Sequence, residues 1–147
     1  MKLAVISLGS YSSTRILEEA KKHFDDAEHV DIRTLELHIT NEGYTVSSQG
    51  KPLSSNYDCV YVRGSHKYSL LKTGISKAYH RNAYLPIHPD AFTIAHDKFL
   101  TLLQLRAGGV RIPKTYLAAT ATSAKKILAE LEYPIILKTP HGTQGKG

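Results

Sequence analysis

Short, almost continuous apolar runs separated by helix-like segments constrain the fold of this chain most strongly. Residues 2–8 (Lys-Leu-Ala-Val-Ile-Ser-Leu) and 58–63 (Asp-Cys-Val-Tyr-Val-Arg) have the composition of strands that are buried on both faces, as parallel strands are. Apolar residues recur at helical spacing in segment 13–24 and, less regularly, in segment 67–80. The pattern therefore predicts an α/β protein with an open, mostly parallel sheet.

Three further segments of the first part have strand character. Residues 29–37 alternate between apolar and polar side chains and predict a second strand, and residues 83–87 predict a short one. Residues 43–53 predict a polar β-hairpin whose turn lies near Gln49-Gly50. The sheet is thus predicted to combine parallel strands with one hairpin.

The carboxyl ends of parallel strands are where such sheets bind their ligands. This rule places residues 9–12, 63–66 and 88–90 at the predicted working edge. Ser10 and Arg63 are the candidate substrate contacts there, although each segment is also an ordinary connection between elements.

The last third of the chain has a different order of elements. Asp97 is expected to cap a helix that runs to Ala107 and ends at Gly108-Gly109. A strand is predicted within residues 110–118, then a helix over 124–131 capped by Thr122 or Ser123, and then a strand over 135–138. We expect the boundary between the two parts near residues 88–96, which gives domains 1–92 and 93–147.

The positive charge is concentrated in the second part. The formal net charge is +6, and residues 91–147 carry 8 Lys and Arg against 3 Asp and Glu, whereas residues 1–90 carry 11 against 10. Such an excess suits an anion such as a nucleotide phosphate or nucleic acid. A solvated basic face and an acidic partner domain explain it equally well.

The chain shows no sign of secretion or of a membrane span. Its one cysteine, Cys59, lies in an apolar run and is interpreted as a small buried hydrophobic residue. The apolar N-terminus lacks a cleavage site and is interpreted as the first strand. No apolar run approaches the length that spans a bilayer, so we expect a cytoplasmic protein without a membrane partner.

A glycine-rich loop, at which the sequence stops, is the candidate phosphate-binding element. It contains Gly142, Thr143, Gln144, Gly145 and Gly147. Glycines let successive backbone N–H groups converge on an anion. The loop matches neither the P-loop nor the dinucleotide-binding fingerprint, and a plain glycine-rich turn between strands is the alternative.

Two lysines frame this loop in the predicted order of elements. Lys138 ends the apolar run 135–138 directly before the loop, and Lys98 follows Asp97 at the start of a helix. Lysine ammonium groups on flexible stems suit a moving phosphoryl group. Lys138 is otherwise a lysine that keeps an edge strand soluble, and Lys98 an ordinary surface lysine.

The order of these features resembles the ATP-grasp superfamily and, within it, the RimK-type amino-acid ligases, which resemble glutathione synthetase. The resemblance rests on the Asp97-Lys98 helix start, the turn Gly109-Val-Arg-Ile-Pro113 and the loop 142–147 together. It implies a Rossmann-like pre-ATP-grasp α/β domain over residues 1–92. It implies over residues 93–147 the incomplete start of the α+β nucleotide-binding subdomain of an ATP-grasp fold.

The resemblance also implies a chemistry and a set of ligands. Such ligases use ATP and Mg²⁺ to convert a carboxylate into an acyl phosphate, which the amine of an amino acid such as glutamate attacks to form an amide. Lys98, Lys138 and loop 142–147 would contact the ATP phosphates. No catalytic residue and no metal ligand is expected within the chain. The magnesium ligands are expected beyond residue 147, so residues 1–147 alone should not catalyse ligation.

Partners and competing functions follow from the same features. The expected small-molecule partners are a nucleotide and an amino acid, and the acceptor, a protein or a cofactor, is not identified by the sequence. We expect a homo-oligomer, because the second part offers few strands and an open edge. The alternatives are a non-catalytic basic α/β module that binds nucleic acid or a partner protein, and a regulatory protein built from the front of a ligase.

Overall fold

The computed structural model describes residues 1–140, and the chain divides into two compact units between Thr93 and Ile94. A parallel sheet of three strands is the centre of the first unit, with the order β2–β1–β6. These strands are β1 (Lys2–Ser7), β2 (Asp26–Asp31) and β6 (Cys59–Val62). The prediction of an α/β fold with a parallel sheet is therefore confirmed.

Two helices cover opposite faces of this sheet. Leu3 and Val5 of β1 pack with the helix α1 (Tyr11–Ala20), whereas Ala4 and Ile6 face the helix α2 (Ser69–Tyr79). This alternation follows from the two-residue period of a strand, and it explains why β1 is apolar at nearly every position. Cys59 is buried beside Leu3 and Val5, as predicted, and burial raises the pKa of its thiol.

A second, antiparallel sheet extends the first unit. It consists of β3 (Leu35–Thr40), β4 (Gly43–Ser48) and β5 (Lys51–Pro52), in the order β3–β4–β5. The predicted turn between β4 and β5 is confirmed: Gln49 and Gly50 both have positive φ, at 52° and 74°. Two-residue hairpin loops favour turns in which both central residues have positive φ, and Gln49 and Gly50 are the two central residues here.

The prediction of one strand over residues 29–37 is wrong. β2 ends at Asp31, a 3₁₀ turn occupies Ile32–Thr34, and β3 begins in the other sheet. The Asp31 side chain caps this turn by accepting a hydrogen bond of 2.9 Å from the backbone N–H of Arg33. The local cap therefore interrupts an apolar alternation that by itself looks continuous.

Residues 83–87 pair with the parallel sheet more briefly than predicted. Tyr84 alone makes a parallel bridge, donating from its N–H to the Asp58 carbonyl at 2.8 Å and accepting from the Val60 N–H at 3.0 Å. No strand is assigned to this segment. It returns to the start of β6, and a short helix α3 (Ala91–Ile94) follows it.

The second unit contains two helices with defined ends. α4 spans Lys98–Ala107, and the Asp97 carboxylate caps it by accepting from the N–H groups of Phe99 and Leu100, both at 2.8 Å. The predicted cap is confirmed, and so is the predicted end, where Gly109 has a φ of 78°.

The other helix, α5, spans Ala121–Ala129 and begins three residues before its predicted start. Thr120 caps it, and the predicted caps, Thr122 and Ser123, lie inside the helix. The Thr120 side chain accepts from the Ser123 N–H at 3.1 Å. None of the helices described in residues 1–140 is long and apolar enough to cross a bilayer.

The two strands predicted in residues 110–118 and 135–138 are wrong. Between Val62 and residue 140, the last one that the structure describes, no segment is assigned as a strand. Ile136 and Leu137 are 81% and 74% exposed. A β-branched run becomes a strand only when another strand pairs with it, and residues 94–140 supply no such partner.

Candidate functional site

The strand order makes the carboxyl end of β1 a topological switch point, where open α/β sheets bind their ligands. The chain passes from β1 through α1 to β2 on one side, whereas β6 pairs with β1 on the other side. Connections that leave in opposite directions separate the two loops beyond a sheet and leave room for a ligand between them. The segments after β1 and β6 are therefore the candidate substrate edge.

The loops that carry the two predicted substrate contacts lie side by side at this edge. Arg63 follows β6 directly and donates from its backbone N–H to the carbonyl of Ile6 at 2.9 Å. The backbone of Gly64 lies against Leu8, because a Cβ built on Gly64 would be 3.8 Å from the Leu8 Cγ. The structure thus brings the turn that starts with Arg63 next to the segment that leads to Ser10.

A hydrogen-bonded chain fixes the turn after β1. The buried hydroxyl of Ser7 accepts from the Gly9 N–H at 3.1 Å and bonds the Nε2 of His29, on β2, at 2.9 Å. Gly9 has a φ of 71°, which glycine adopts without strain. Sequence reasoning missed Ser7 and His29; the signal was a single hydroxyl at the end of an otherwise apolar strand.

Ser10 directly precedes α1. Its carbonyl accepts from the N–H groups of Ser13 and Thr14 at 2.8 and 3.0 Å, so Ser10 occupies the N-cap position. Ser12 and Ser13 lie within the helix. The Ser10 hydroxyl makes no cap bond to the backbone and bonds the hydroxyls of Ser12 and Ser13 at 3.2 and 3.1 Å. The exposed Ser10 thus begins a row of hydroxyls at this edge.

Residues 88–90 do not belong to this edge, contrary to the prediction. The ring of His88 packs edge-on against that of His80, with the centroids 5.4 Å apart, and Asp90 pairs with Lys77 at 3.6 Å. His80 and Lys77 lie at the end of α2, and that end returns to the start of β6 through Tyr84. Because Tyr84 pairs with the first residue of β6, the end of α2 lies near the amino end of that strand. The contacts of His88 and Asp90 therefore place segment 88–90 at the opposite edge of the sheet.

An open groove of about 760 Å³ lies beside that opposite edge. It is bordered by the β3–β4 turn, the end of α2 and segment 88–90, and its side chains carry both signs of charge. The ion pair between Lys77 and Asp90 takes up part of this charge. Neither Ser10 nor Arg63 lines this groove.

In the second unit, one predicted lysine is bonded to the segment that carries the other. The Lys98 N–H donates to the carbonyl of Pro140 at 3.0 Å, and its Nζ donates to the carbonyl of Thr139, also at 3.0 Å. Lys138 directly precedes Thr139 and is exposed. The start of α4 and the approach to the glycine-rich segment are therefore joined.

The remaining predicted site residues cannot be placed. Gly142, Thr143, Gln144, Gly145 and Gly147 lie outside the residues that the structure describes. Over the described range 1–140, no group of three or more His, Cys, Asp or Glu side chains could hold a metal ion. The ATP-contacting roles of Lys98, Lys138 and the loop stay predictions.

Two curated proteins that resemble this chain share one name. The chain is 28% identical over 151 residues to the "Probable alpha-L-glutamate ligase" of Thioalkalivibrio sulfidiphilus, a match that covers 100% of the chain and 50% of the relative. It is 27% identical to the protein of the same name from Histophilus somni, with 93% and 48% covered. The chain spans about half the length of the curated relatives it matches. No family model matches it.

Solved structures with a similar fold include an ATP-grasp ligase and a macrocyclase. The ATP-grasp ligase PsnB, solved with minimal precursor, Mg and ADP, superposes with a TM-score of 0.56 at 14% identity, and the match covers 88% of this chain and 51% of PsnB. The macrocyclase MdnB from Microcystis aeruginosa gives a TM-score of 0.54 at 16% identity, with 88% and 58% covered. At such identities the likeness shows the fold alone.

The sequence matches and the fold together confirm the predicted resemblance. The chain resembles about half of the curated proteins named probable alpha-L-glutamate ligase, and its fold resembles about half of an ATP-grasp ligase. The alternative of an unrelated basic binding module is not favoured, because the curated relatives are named as ligases over essentially this whole chain.

Proposed function

We propose that this chain, a relative of ATP-grasp alpha-L-glutamate ligases, forms part of an enzyme that joins a carboxylate to the amine of an amino acid such as glutamate. The observation that carries the proposal is the pair of hydrogen bonds from Lys98 to Thr139 and Pro140, each 3.0 Å long. They connect one of the sequence features on which the resemblance rests, the Asp97-Lys98 helix start, with the segment that precedes loop 142–147 in the sequence. The shared name of the curated relatives supports the same function.

The second unit would supply contacts to the ATP phosphates. Lys98 begins α4, and the Asp97 cap fixes the backbone at that point. Lys138 precedes Thr139, whose carbonyl already accepts from Lys98. Two ammonium groups and the N–H groups of loop 142–147 would surround the β- and γ-phosphates, and they would neutralise charge as the phosphoryl group moves.

The reaction would run through an acyl phosphate. A carboxylate oxygen of one substrate attacks the γ-phosphorus of ATP, the bond to the β-phosphate oxygen breaks, and ADP leaves. The amine of the second substrate then attacks the acyl carbon and phosphate leaves, which yields an amide. A magnesium ion, for which residues 1–140 offer no cluster of three or more His, Cys, Asp or Glu ligands, would lower the charge on the transferred group.

The first unit would hold a substrate at the carboxyl end of β1. A guanidinium group at Arg63 suits a carboxylate, because its donors match both oxygens of that group. The Ser10 hydroxyl, at the start of α1, offers a neutral donor on the neighbouring loop. We infer that Arg63 and Ser10 contact a carboxylate-bearing substrate. An enzyme that consumes ATP and free amino acid is expected in the cytoplasm.

An assay of nucleotide cleavage tests the proposal. The protein isolated from its native host is given Mg²⁺ and ATP with L-glutamate and candidate acceptors, and ADP, AMP and phosphate are separated. We expect ADP and phosphate to form in step with a new amide. Lys98→Met and Lys138→Met should lower this turnover by at least about 100-fold, because each removes a charge that balances the phosphates.

Two further results make the assay decisive. Lys125→Met, an exposed lysine of α5, serves as the matched control and should leave turnover unchanged. The 147-residue chain alone should release no ADP. Formation of AMP instead of ADP would contradict the acyl-phosphate route.

A further inference from the structure

A lysine is buried in the core of the first unit, where lysines are rarely found. Lys72 is 2% exposed and lies on the same face of α2 as Ile75, Ser76 and Tyr79, which are also buried. An ammonium group loses most of its hydration when it is buried, and an apolar side chain of similar length would avoid that loss. A lysine at this position therefore calls for a specific role of its charge.

The contacts of Lys72 point to one turn. Its Nζ donates to the carbonyl of Gly64 at 3.1 Å and lies 4.9 Å from the centre of the Phe92 ring. The aromatic face and the carbonyl dipole both stabilise a positive charge. Burial also lowers the pKa of Lys72.

The turn that Lys72 bonds is the one that leads away from β6 at the candidate substrate edge. Gly64 has a φ of 149°, a conformation that other residues rarely adopt, and its backbone packs against Leu8. Arg63, directly before it, is still tied to Ile6 of β1. Lys72 therefore reaches the first point at which the chain leaves the sheet.

We propose that Lys72 is a positioning residue, whose ammonium group holds the Arg63–Ser65 turn in place next to the loop after β1. Lys72 acts on a substrate only through Arg63, and this part of the inference rests on the function proposed above. The stabilisation of the turn by Lys72 is a property of the fold. It can be measured whether or not the enzyme activity is found.

Hydrogen exchange in the turn tests the proposal on the 147-residue chain. The N–H groups of Lys67 and Tyr68 bond the hydroxyl and carbonyl of Ser65, at 3.3 and 3.1 Å, and they report on the turn. In Lys72→Met their exchange should rise about tenfold, as expected when a charge-assisted hydrogen bond is lost. The N–H groups of β1 should keep their protection.

Two matched variants separate positioning from packing. Lys72→Arg retains a cation and a donor, and it should bring the exchange of Lys67 and Tyr68 back to within about twofold of the original chain. Lys77→Met removes an exposed lysine from the same helix and should change nothing in the turn. In an active ligase, Lys72→Met should raise the KM for the carboxylate substrate and leave the KM for ATP unchanged.

Three results would overturn the proposal. Lys72→Met could leave the exchange of the turn unchanged, or it could accelerate exchange equally in β1 and in the turn. The Met variant could also fail to fold, which would make Lys72 a requirement of the core. If the turn loosens as expected but the protein shows no ATP-dependent activity, the hold on the turn stands and only the proposed function fails.

Discussion

The two units of this chain differ in how completely they bury their apolar residues. In the first unit, α1 and α2 cover both faces of the parallel sheet, and β1 is almost fully buried. In the described part of the second unit no apolar residue is fully buried, and large side chains such as Leu103, Tyr133 and Ile136 are mostly exposed. The difference shows that caps and helix periodicity define local structure, whereas a core needs layers that cover one another.

Core substitutions should separate the two units most strongly. Ile6→Ala removes a fully buried side chain from β1 and should lower the free energy of unfolding by about 2–5 kcal/mol. Leu103→Ala in α4 removes a side chain that is 51% exposed and should cost less than about 1 kcal/mol. Urea denaturation followed by circular dichroism measures both. Equal losses would show that α4 contributes to the core as β1 does.

Hydrogen exchange compares the units without a substitution. The N–H groups of β1 should exchange at least about 100-fold more slowly than those of α5, because β1 opens only with the whole sheet. The experiment is repeated at rising protein concentration. Protection of residues 135–138 that grows with concentration would support the predicted pairing of a second copy at this segment. Equal protection in β1 and α5 would contradict the contrast between the units.

The tyrosines of the core make the stability of the first unit sensitive to alkaline pH. Burial raises the pKa of Tyr79 to about 12, above its ordinary value of 10.0. As the pH rises, the Tyr79 hydroxyl therefore loses its proton first in the unfolded chain. The contribution of Tyr79 to the free energy of unfolding is complete below about pH 10 and is lost as the pH rises towards 12.

Tyr79→Phe isolates this effect. The free energy of unfolding of this variant should fall less steeply between about pH 10 and 12 than that of the original chain. Urea denaturation at several pH values measures it. Tyr133→Phe is the control, because Tyr133 is 73% exposed. Identical pH profiles for the Tyr79 variant and the original chain would show that Tyr79 ionises freely in the folded state.

The smallest expected effect concerns the start of α4. Asp97→Ala removes the acceptor of two backbone hydrogen bonds and should destabilise that helix by about 1 kcal/mol. Asp97→Asn keeps an acceptor and should cost less. The exchange rates of the α4 N–H groups measure the change. A loss that spreads to β1 would show that the cap supports more than its own helix.

Features that depend on neighbouring residues could be predicted from the sequence. The Asp97 cap, the Gln49-Gly50 turn and the buried strands β1 and β6 each follow from local chemistry or from a short apolar run. Lys98 was also recognised because it follows a cap residue. Its bond to Thr139, 41 residues away, was not predicted, because the local sequence does not show which distant segment a lysine contacts.

Features that depend on distant partners were not predictable. Segment 135–138 has the composition of a strand, but pairing decides whether it becomes one. Lys72 was missed because apolar residues were used to choose the inner face of α2. Apolar character alone is misleading in this helix, since Leu70 is 87% exposed. The spacing of Ile75 and Tyr79, extended back by three residues, is the signal that would have identified Lys72.

The most direct test of the central claim measures amino-acid-dependent ADP release by the protein isolated from its native host. The account predicts that ATP is cleaved to ADP and phosphate only when L-glutamate and an acceptor are present, and that Lys98→Met and Lys138→Met each lower the reaction by at least about 100-fold. Unchanged turnover in both variants would contradict the proposed nucleotide site, and ATP cleavage to AMP would contradict the acyl-phosphate chemistry.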